Sequence, residues 1–254
     1  MPSRTLLLLL AFAALPVFAL DTIGFHNNQE RSLACPSSDE SASGRHNRFC
    51  EIREQALSST GHLSIDPGQN GGISVKGWDR ADLLVRSKIE ATSASVDDAR
   101  ALARSVTIHA APGDVRATGP QTHNGEGWSV SYEIFIPYLT SLTANAHNGG
   151  IAVFDAGGEI RLTTTNGGIH AELIGSHWDG RGLDLSSTNG GASLVVPAHY
   201  SAQITASTVN GGVHSDFPEL APLGHHATSL NGPLGQGGAP IHVTTVNGGV
   251  SISR

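Results

Sequence analysis

The eight residues TTTNGGIH, Thr163 to His170, contain the turn around which this chain is written. The same Asn-Gly-Gly, followed by a small or β-branched apolar residue, begins at Asn70, Asn148, Asn166, Asn189, Asn210 and Asn247. Thr- or Ser-rich runs precede it, as in IRLTTTNGG, LDLSSTNGG, ITASTVNGG and IHVTTVNGG, and alternating stretches follow it, as in IAVF, IHAEL, ASLVV and VSIS. Period-two alternation of apolar residues is the mark of half-buried strands. Asn and Gly tolerate positive φ, so each turn is expected to bend a strand sharply and return the next residue to the core.

Counting a degenerate NGP at Asn231, the asparagines from Asn148 onward stand 18, 23, 21, 21 and 16 residues apart. A period near twenty suits one coil of a stack. The flanks recur in the same order, so equivalent positions can lie over one another at roughly 4.8 Å, with Thr and Asn ladders on one side and an aliphatic column inside. The expectation is an all-β fold, a β-solenoid-like stack of Asn-Gly-Gly repeats. The alternative is an antiparallel β meander, because Asn-Gly is also the strongest tight-hairpin signal.

Ahead of the repeats, Leu63 and Ile65, Ile73 and Val75, then Leu83, Val85, Ile89 and Ala91 alternate, and WSVSYEIFIP does so through Val130, Tyr132, Ile134 and Ile136 before Pro137. Between them, SVDDARALARSV reads as one short helix at about 95–104: Ser95 and Asp98 resemble a capping box, and Val96, Ala99, Leu102 and Ala103 share a face.

The 254 residues include 31 Gly, with 15 Lys plus Arg against 22 Asp plus Glu, a formal charge of −7. A mildly acidic surface disfavours nucleic acid and anionic membrane as partners. At the N-terminus, Arg4 precedes an apolar run from Leu6 that ends in Val17-Phe18-Ala19, the pattern of a cleaved secretory signal. An uncleaved anchor is the alternative. The only cysteines, Cys35 and Cys50, are expected to pair in an oxidising compartment, closing a polar loop to a gain of about 3 kcal/mol. A metal site of Cys35, His46 and Cys50 is the competing reading. The chain then divides into a signal peptide at 1–19, a polar segment with the disulfide at 20–56, a β-rich part with the helix at 57–140, and the repeat part at 141–254.

The order of NGGISVKGWDRADLLVRSKIEA, a short DDARALA helix, WSVSYEIFIP and serial TTNGGI-type turns ending in VTTVNGGVSISR resembles the bacterial putative-adhesin β-strand-repeat family, domain of unknown function 4097. The resemblance covers roughly residues 57 to 254. It implies an exported β-solenoid-like domain and supplies no catalytic residue to transfer. The NGP at Asn231 and the loop from Pro218 to Pro240 depart from its repeat.

Candidate sites are few. Asp155, Glu159, Glu172, Asp179 and Asp184 stand singly at differing offsets from the turns, not as the pair that glycoside chemistry needs. No serine elbow, zinc-protease motif or phosphate loop is present, and neither enzyme activity nor a cofactor is expected. His170 and His214 share an offset, but two coils would hold them roughly 9.6 Å apart. His225 and His226, aided by His242 or Asp216, form a second metal candidate. In GSHWDGRGLD, Trp178 with His177, Asp179 and Arg181 could stack on a sugar ring, or Trp178 could close the apolar flank as a lid, as Trp78 is expected to do. The last coil, ending at Arg254 with no cap behind it, is expected to leave an open edge strand, through which the chain could associate with itself unless the Pro218–Pro240 loop covers it. The functional expectation is an exported, non-catalytic β-repeat module of the envelope, adhesin-like or scaffolding, with an envelope protein or a glycan as partner. The alternative is a carbohydrate-binding or carbohydrate-processing β-helix.

Overall fold

The computed structural model describes residues 32–36, 47–123, 125–178, 180–220 and 227–254. The signal-peptide reading at 1–19, His46, Asp179 and the His225–His226 pair lie outside the described residues. In chain order come β1 (Asn47–Ser58), β2 (His62–Asp66), β3 (Ile73–Trp78), β4 (Asp82–Ser93), the helix α1 (Val96–Ser105), β5 (Thr107–Ala111), β6 (Asp114–Thr118) and β7 (Gly127–Pro137). Then follow β8 (Ser141–Asn148), β9 (Ile151–Phe154), β10 (Ile160–Asn166), β11 (Ile169–Glu172), β12 (Leu183–Asn189) and β13 (Ala192–Val195). The chain finishes with β14 (Ala202–Asn210), β15 (Val213–Ser215), β16 (Ser229–Leu234), β17 (Pro240–Asn247) and β18 (Val250–Ser253).

These strands form two nine-stranded mixed sheets. The first runs β1-β4-β7-β3-β9-β11-β13-β18-β15, the second β16-β14-β17-β12-β10-β8-β2-β6-β5. From Asn148 onward each Asn-Gly-Gly ends a strand of the second sheet and starts one of the first, as in β8 to β9 and β10 to β11, and the Asn70 turn leads from β2 to β3 in the same sense. Alternation then places one side chain in two in the space between the sheets. Leu162, Leu185, Val243 and Ile204 meet Val153, Ala171, Leu194 and Ile252 there in one continuous buried core. Burying each large aliphatic contributes about 1.5–3 kcal/mol.

The repeats pair in parallel: β10 with β8 and β12, β12 with β17, and β17 with β14, each pair aligning its terminal asparagines. The antiparallel meander is therefore not what the repeats build. Antiparallel pairing is found at β1–β4–β7, β5–β6 and β14–β16.

Three expectations need correction. The strands do not stack in chain order, because β17 lies between β12 and β14, and β18 between β13 and β15. The last repeat is thus interior: neither β17 nor β18 is the open edge strand expected for self-association. Asn231 is not a corner; it sits in β16, which turns back antiparallel along β14 and covers that edge. Gly232 and Pro233 in β16 suit an outermost strand, where a missing N–H and a missing side chain cost least.

The helix forms where expected. Ser95 caps it, its Oγ accepting from the Asp98 N–H at 3.1 Å, and Ala99 and Ala103 are buried. Val96 points to solvent at 43% exposure. Arg53 of β1 closes the other end, Nη1 and Nη2 donating to the carbonyls of Val106 and Ala103 at 3.0 and 3.2 Å. A cation at a helix C-terminus satisfies carbonyls left without intrahelical donors.

Cys35 and Cys50 form a disulfide with a Cα–Cα distance of 5.8 Å, tying residues 32–36 to β1. With a sequence separation of 15, its removal is expected to cost about 3 kcal/mol. Urea titration of Cys35→Ser/Cys50→Ser beside the parent at pH 7 reads that loss directly, and coincident curves would show that the bridge constrains nothing.

Candidate functional site

The corners are where the repeated residues meet. Asn148 donates its side-chain amide to Asn70 Oδ1 at 3.1 Å, and Asn166 to Asn148, Asn189 to Asn166, Asn247 to Asn189 and Asn210 to Asn247 each at 2.8 Å. All six predicted turn asparagines join one ladder, in spatial rather than chain order. Behind it, Thr164, Ser187, Thr245 and Thr208 donate their hydroxyls to the carbonyls of Gly149, Gly167, Gly190 and Gly248 at 2.7–2.8 Å. In such a chain each bond polarises the next.

None of the six asparagines has positive φ; among the described residues the one non-glycine that does is Asp155, at 54°. Torsion demands the first glycine at Gly71, Gly190 and Gly248, with φ of 139°, 154° and 159°, and contact demands it at the others too. A Cβ at Gly167 would stand 2.2 Å from the Gly149 carbonyl oxygen, and one at Gly149 2.0 Å from that of Gly71. Successive corners touch backbone to backbone.

The outward face of the first sheet holds a buried charge cluster. Lys76 on β3, Arg86 on β4 and Glu133 on β7 are 7%, 8% and 1% exposed. Glu133 Oε1 accepts from Lys76 Nζ at 2.8 Å, from Ser32 N at 2.8 Å and from Ser32 Oγ at 2.7 Å. Its Oε2 accepts from Leu33 N at 3.3 Å and from Arg86 Nη1. Arg86 also reaches Glu54 Oε2 at 3.1 Å and the Leu33 carbonyl at 3.2 Å. Residues 32–36 thus lie as a strap over the sheet, held at one end by the disulfide. Burial by itself raises the Glu133 pKa; donation from Lys76, Ser32 and Arg86 outweighs it and holds the group at about 2.

Beside the strap, Leu33, Ile73, Ile151, Ile169, Tyr132 and the small residues between them line an open apolar groove of about 480 Å³. Register extends it into a row: Ser74 opposes Ala152, Ala152 opposes His170, His170 opposes Ser193, and Ser193 opposes Ser251. Apart from His170, whose ring stands 5.6 Å from that of Phe154, the row carries small side chains and is shallow.

The residues chosen from the sequence sit elsewhere. Trp178 is 5% exposed within the core, its Nε1 without a partner among the described residues, so the ring closes the flank as a lid. His177 bridges to Ser201, and Arg181 pairs with Glu159 at 2.6 Å; both are exposed, and Asp179 lies outside the described residues. Trp78 packs on Phe135 with ring centroids 5.3 Å apart and is 6% exposed. Asp184 pairs with Arg161 at 3.3 Å and Glu172 with His170 at 2.9 Å, whereas Asp155 is buried. Glu159 and Asp184 line one cavity together with Arg161 and Arg181, and each is paired with one of those arginines. His170 and His214 are three strands apart, with Ser193 and Ser251 between, about 14 Å at ordinary strand spacing and not the two-coil distance expected. Each faces its own acid, Glu172 and Asp216. Among the described residues no group of three His, Cys, Asp or Glu could hold a metal ion, and no helix is long and apolar enough to cross a membrane.

Sequence reasoning missed Lys76, Arg86 and Glu133. A signal was present: each is a charge at an outward position beside apolar residues of an alternating run, in ISVKGW, DLLVRS and SYEIF. Charges placed so in three separate strands need partners.

No curated protein matches the chain. The crystal structure of a "putative cell adhesion protein" from Clostridium sporogenes ATCC 15579 is similar with a TM-score of 0.49 and 11% identity, covering 81% of this chain and 99% of that one. A "putative adhesin" from Parabacteroides merdae ATCC 43184 gives 0.35 and 10%, covering 81% and 96%. The Toastrack DUF4097 family matches residues 58–253, from the end of β1 to the end of β18. With that match spanning most of its length and both sheets, the chain belongs to the Toastrack DUF4097 family.

Proposed function

We propose that the chain is an exported, non-catalytic, solenoid-like β-repeat protein that works as an adhesin-like interaction module of the cell envelope. The observation behind this reading is the shallow row on the first sheet, Ser74, Ala152, His170, Ser193 and Ser251, continuous with the apolar groove and mounted on strands locked corner to corner. A rigid flat surface suits binding, and the two acids that share a cavity elsewhere, Glu159 and Asp184, are each tied to an arginine rather than free to act as an acid and base pair. The disulfide supports export, since such bridges persist outside the reducing cytosol. The partner is an envelope component that lies along the row.

Labelled protein added to isolated envelopes is expected to bind saturably. Ala152→Arg and Ser193→Arg, in the row, should weaken that binding about tenfold or more, while Thr163→Arg, exposed on the second sheet, should leave it unchanged. Binding that never saturates, or that all three variants share, overturns the proposal. Release of reducing ends from an envelope polysaccharide would overturn its non-catalytic part.

A further inference from the structure

A second cavity, of about 420 Å³, opens at the end of the asparagine ladder and is lined by none of the residues of the first-sheet row. Gln69, Asn70, Gln121, Thr122, Glu126 and Trp128 contribute its working groups. Trp128 is half-buried, unlike Trp78 and Trp178, which are 6% and 5% exposed. Its indole plane is fixed: Nε1 donates to the Pro120 carbonyl at 2.9 Å. Gly119 and Gly68 lie against the ring, where a Cβ would stand 2.6 Å from Cε2 and 3.5 Å from Cη2, so glycine at 119 is what lets the loop pack beside the indole.

Asn70 is the terminal residue of the ladder. Its Oδ1 accepts from Asn148 at 3.1 Å, and its Nδ2 has no partner among the described residues. A donor at the head of a polarised chain is a better donor than an isolated amide. Gln69 and Gln121 add groups that both donate and accept, and Glu126 adds a carboxylate whose Oε2 accepts from the His123 N–H at 3.4 Å. No Lys or Arg lines the cavity.

We propose that this cavity binds a neutral saccharide residue, stacked on Trp128 and hydrogen-bonded through Asn70, Gln69, Gln121 and Glu126. The chemistry points there for three reasons. A fixed indole offers an apolar face with a polar rim, which matches the C–H face and hydroxyl edge of a sugar ring. Mixed donor and acceptor groups suit hydroxyls, each of which does both. A lining with one carboxylate and no cation penalises uronic acids, sialic acids and phosphates, which would arrive with their charge unpaired. The volume lies within the usual range for small-ligand sites.

The test uses the full chain. A glycan array with separate arms of neutral envelope saccharides, neutral animal glycans and acidic glycans identifies both the class and the source, and titration of a hit is followed through Trp128 emission. The expected result is binding of neutral members, with a change in tryptophan emission. Glu126→Ala and Gln121→Ala, both on exposed loop positions, should each weaken it about tenfold, and Trp128→Phe should weaken it while removing the emission change. Ala152→Arg should bind saccharide normally, which separates this site from the first-sheet surface. Three results overturn the proposal: an array without neutral hits, a preference for acidic glycans, or affinity unchanged in both loop variants.

Discussion

Gly167→Ala is expected to lower the melting temperature by about 10 °C, while Gly212→Ala leaves it within about 2 °C of the parent. Both residues belong to Asn-Gly-Gly corners, and neither lies in the left-handed region, so backbone torsion does not distinguish them. A Cβ at Gly167 would sit 2.2 Å from the Gly149 carbonyl oxygen, whereas one at Gly212 meets nothing within 4 Å. The obstacle at Gly167 is backbone, itself bonded into the next corner, and it cannot swing aside as a side chain would. Relief requires opening the ladder on both sides of β10 and β11, costing more than about 3 kcal/mol. Thermal melts of the two variants decide the matter; equal melting temperatures would mean that the corners do not set the spacing of the stack.

Glu133→Gln is expected to cost about 3 kcal/mol at pH 7 and to flatten the loss of stability in acid. Removing this charge takes from the buried Lys76 and Arg86 the carboxylate they share, while Glu54 stays beside Arg86 at the rim. The pH dependence follows from the direction of the shift. In the folded chain the carboxyl titrates at about 2, below its ordinary 4.5. The unfolded chain therefore takes up the proton first as pH falls. The contribution is fully present above about pH 4.5 and disappears as the pH descends through about 2. Urea titrations at pH 7 and pH 3 should show the parent losing more stability than Glu133→Gln between the two. An equal loss would mean that the cluster contributes nothing specific to acid sensitivity.

Much of the molecule was legible because its signals are local. The strands around Leu63, Ile73, Leu83 and Val130 were visible in alternation, and those residues are buried as their pattern requires. Ser95 announced the helix by its side chain. By contrast, β1 escaped notice: NRFCEIREQALS carries charges on both faces, since an edge strand under a helix and a strap is wet on each side. The charge cluster escaped for a different reason. Lys76, Arg86, Glu133 and Ser32 come from four separate segments, and nothing local to any of them states that the others will be within hydrogen-bond reach. For Trp178 the sequence leaves both a lid and a sugar platform open, and the ring is buried: a large apolar ring beside an open flank gains more by burial than by waiting for a ligand.

By itself, the sequence determined where the chain turns and which side chains face inward, because turn chemistry and the two-residue period of a strand act over a few residues. The order of the strands was decided only by tertiary structure. Every repeat presents the same Asn, the same Thr or Ser and the same glycine contact to either neighbour, so the edges are nearly interchangeable. In the folded chain β16 turns back along one side of β14, and β17 enters on its other side, between β14 and β12. The same assembly brought Asn70 to the head of the ladder beside Trp128, and Glu133 beneath the strap.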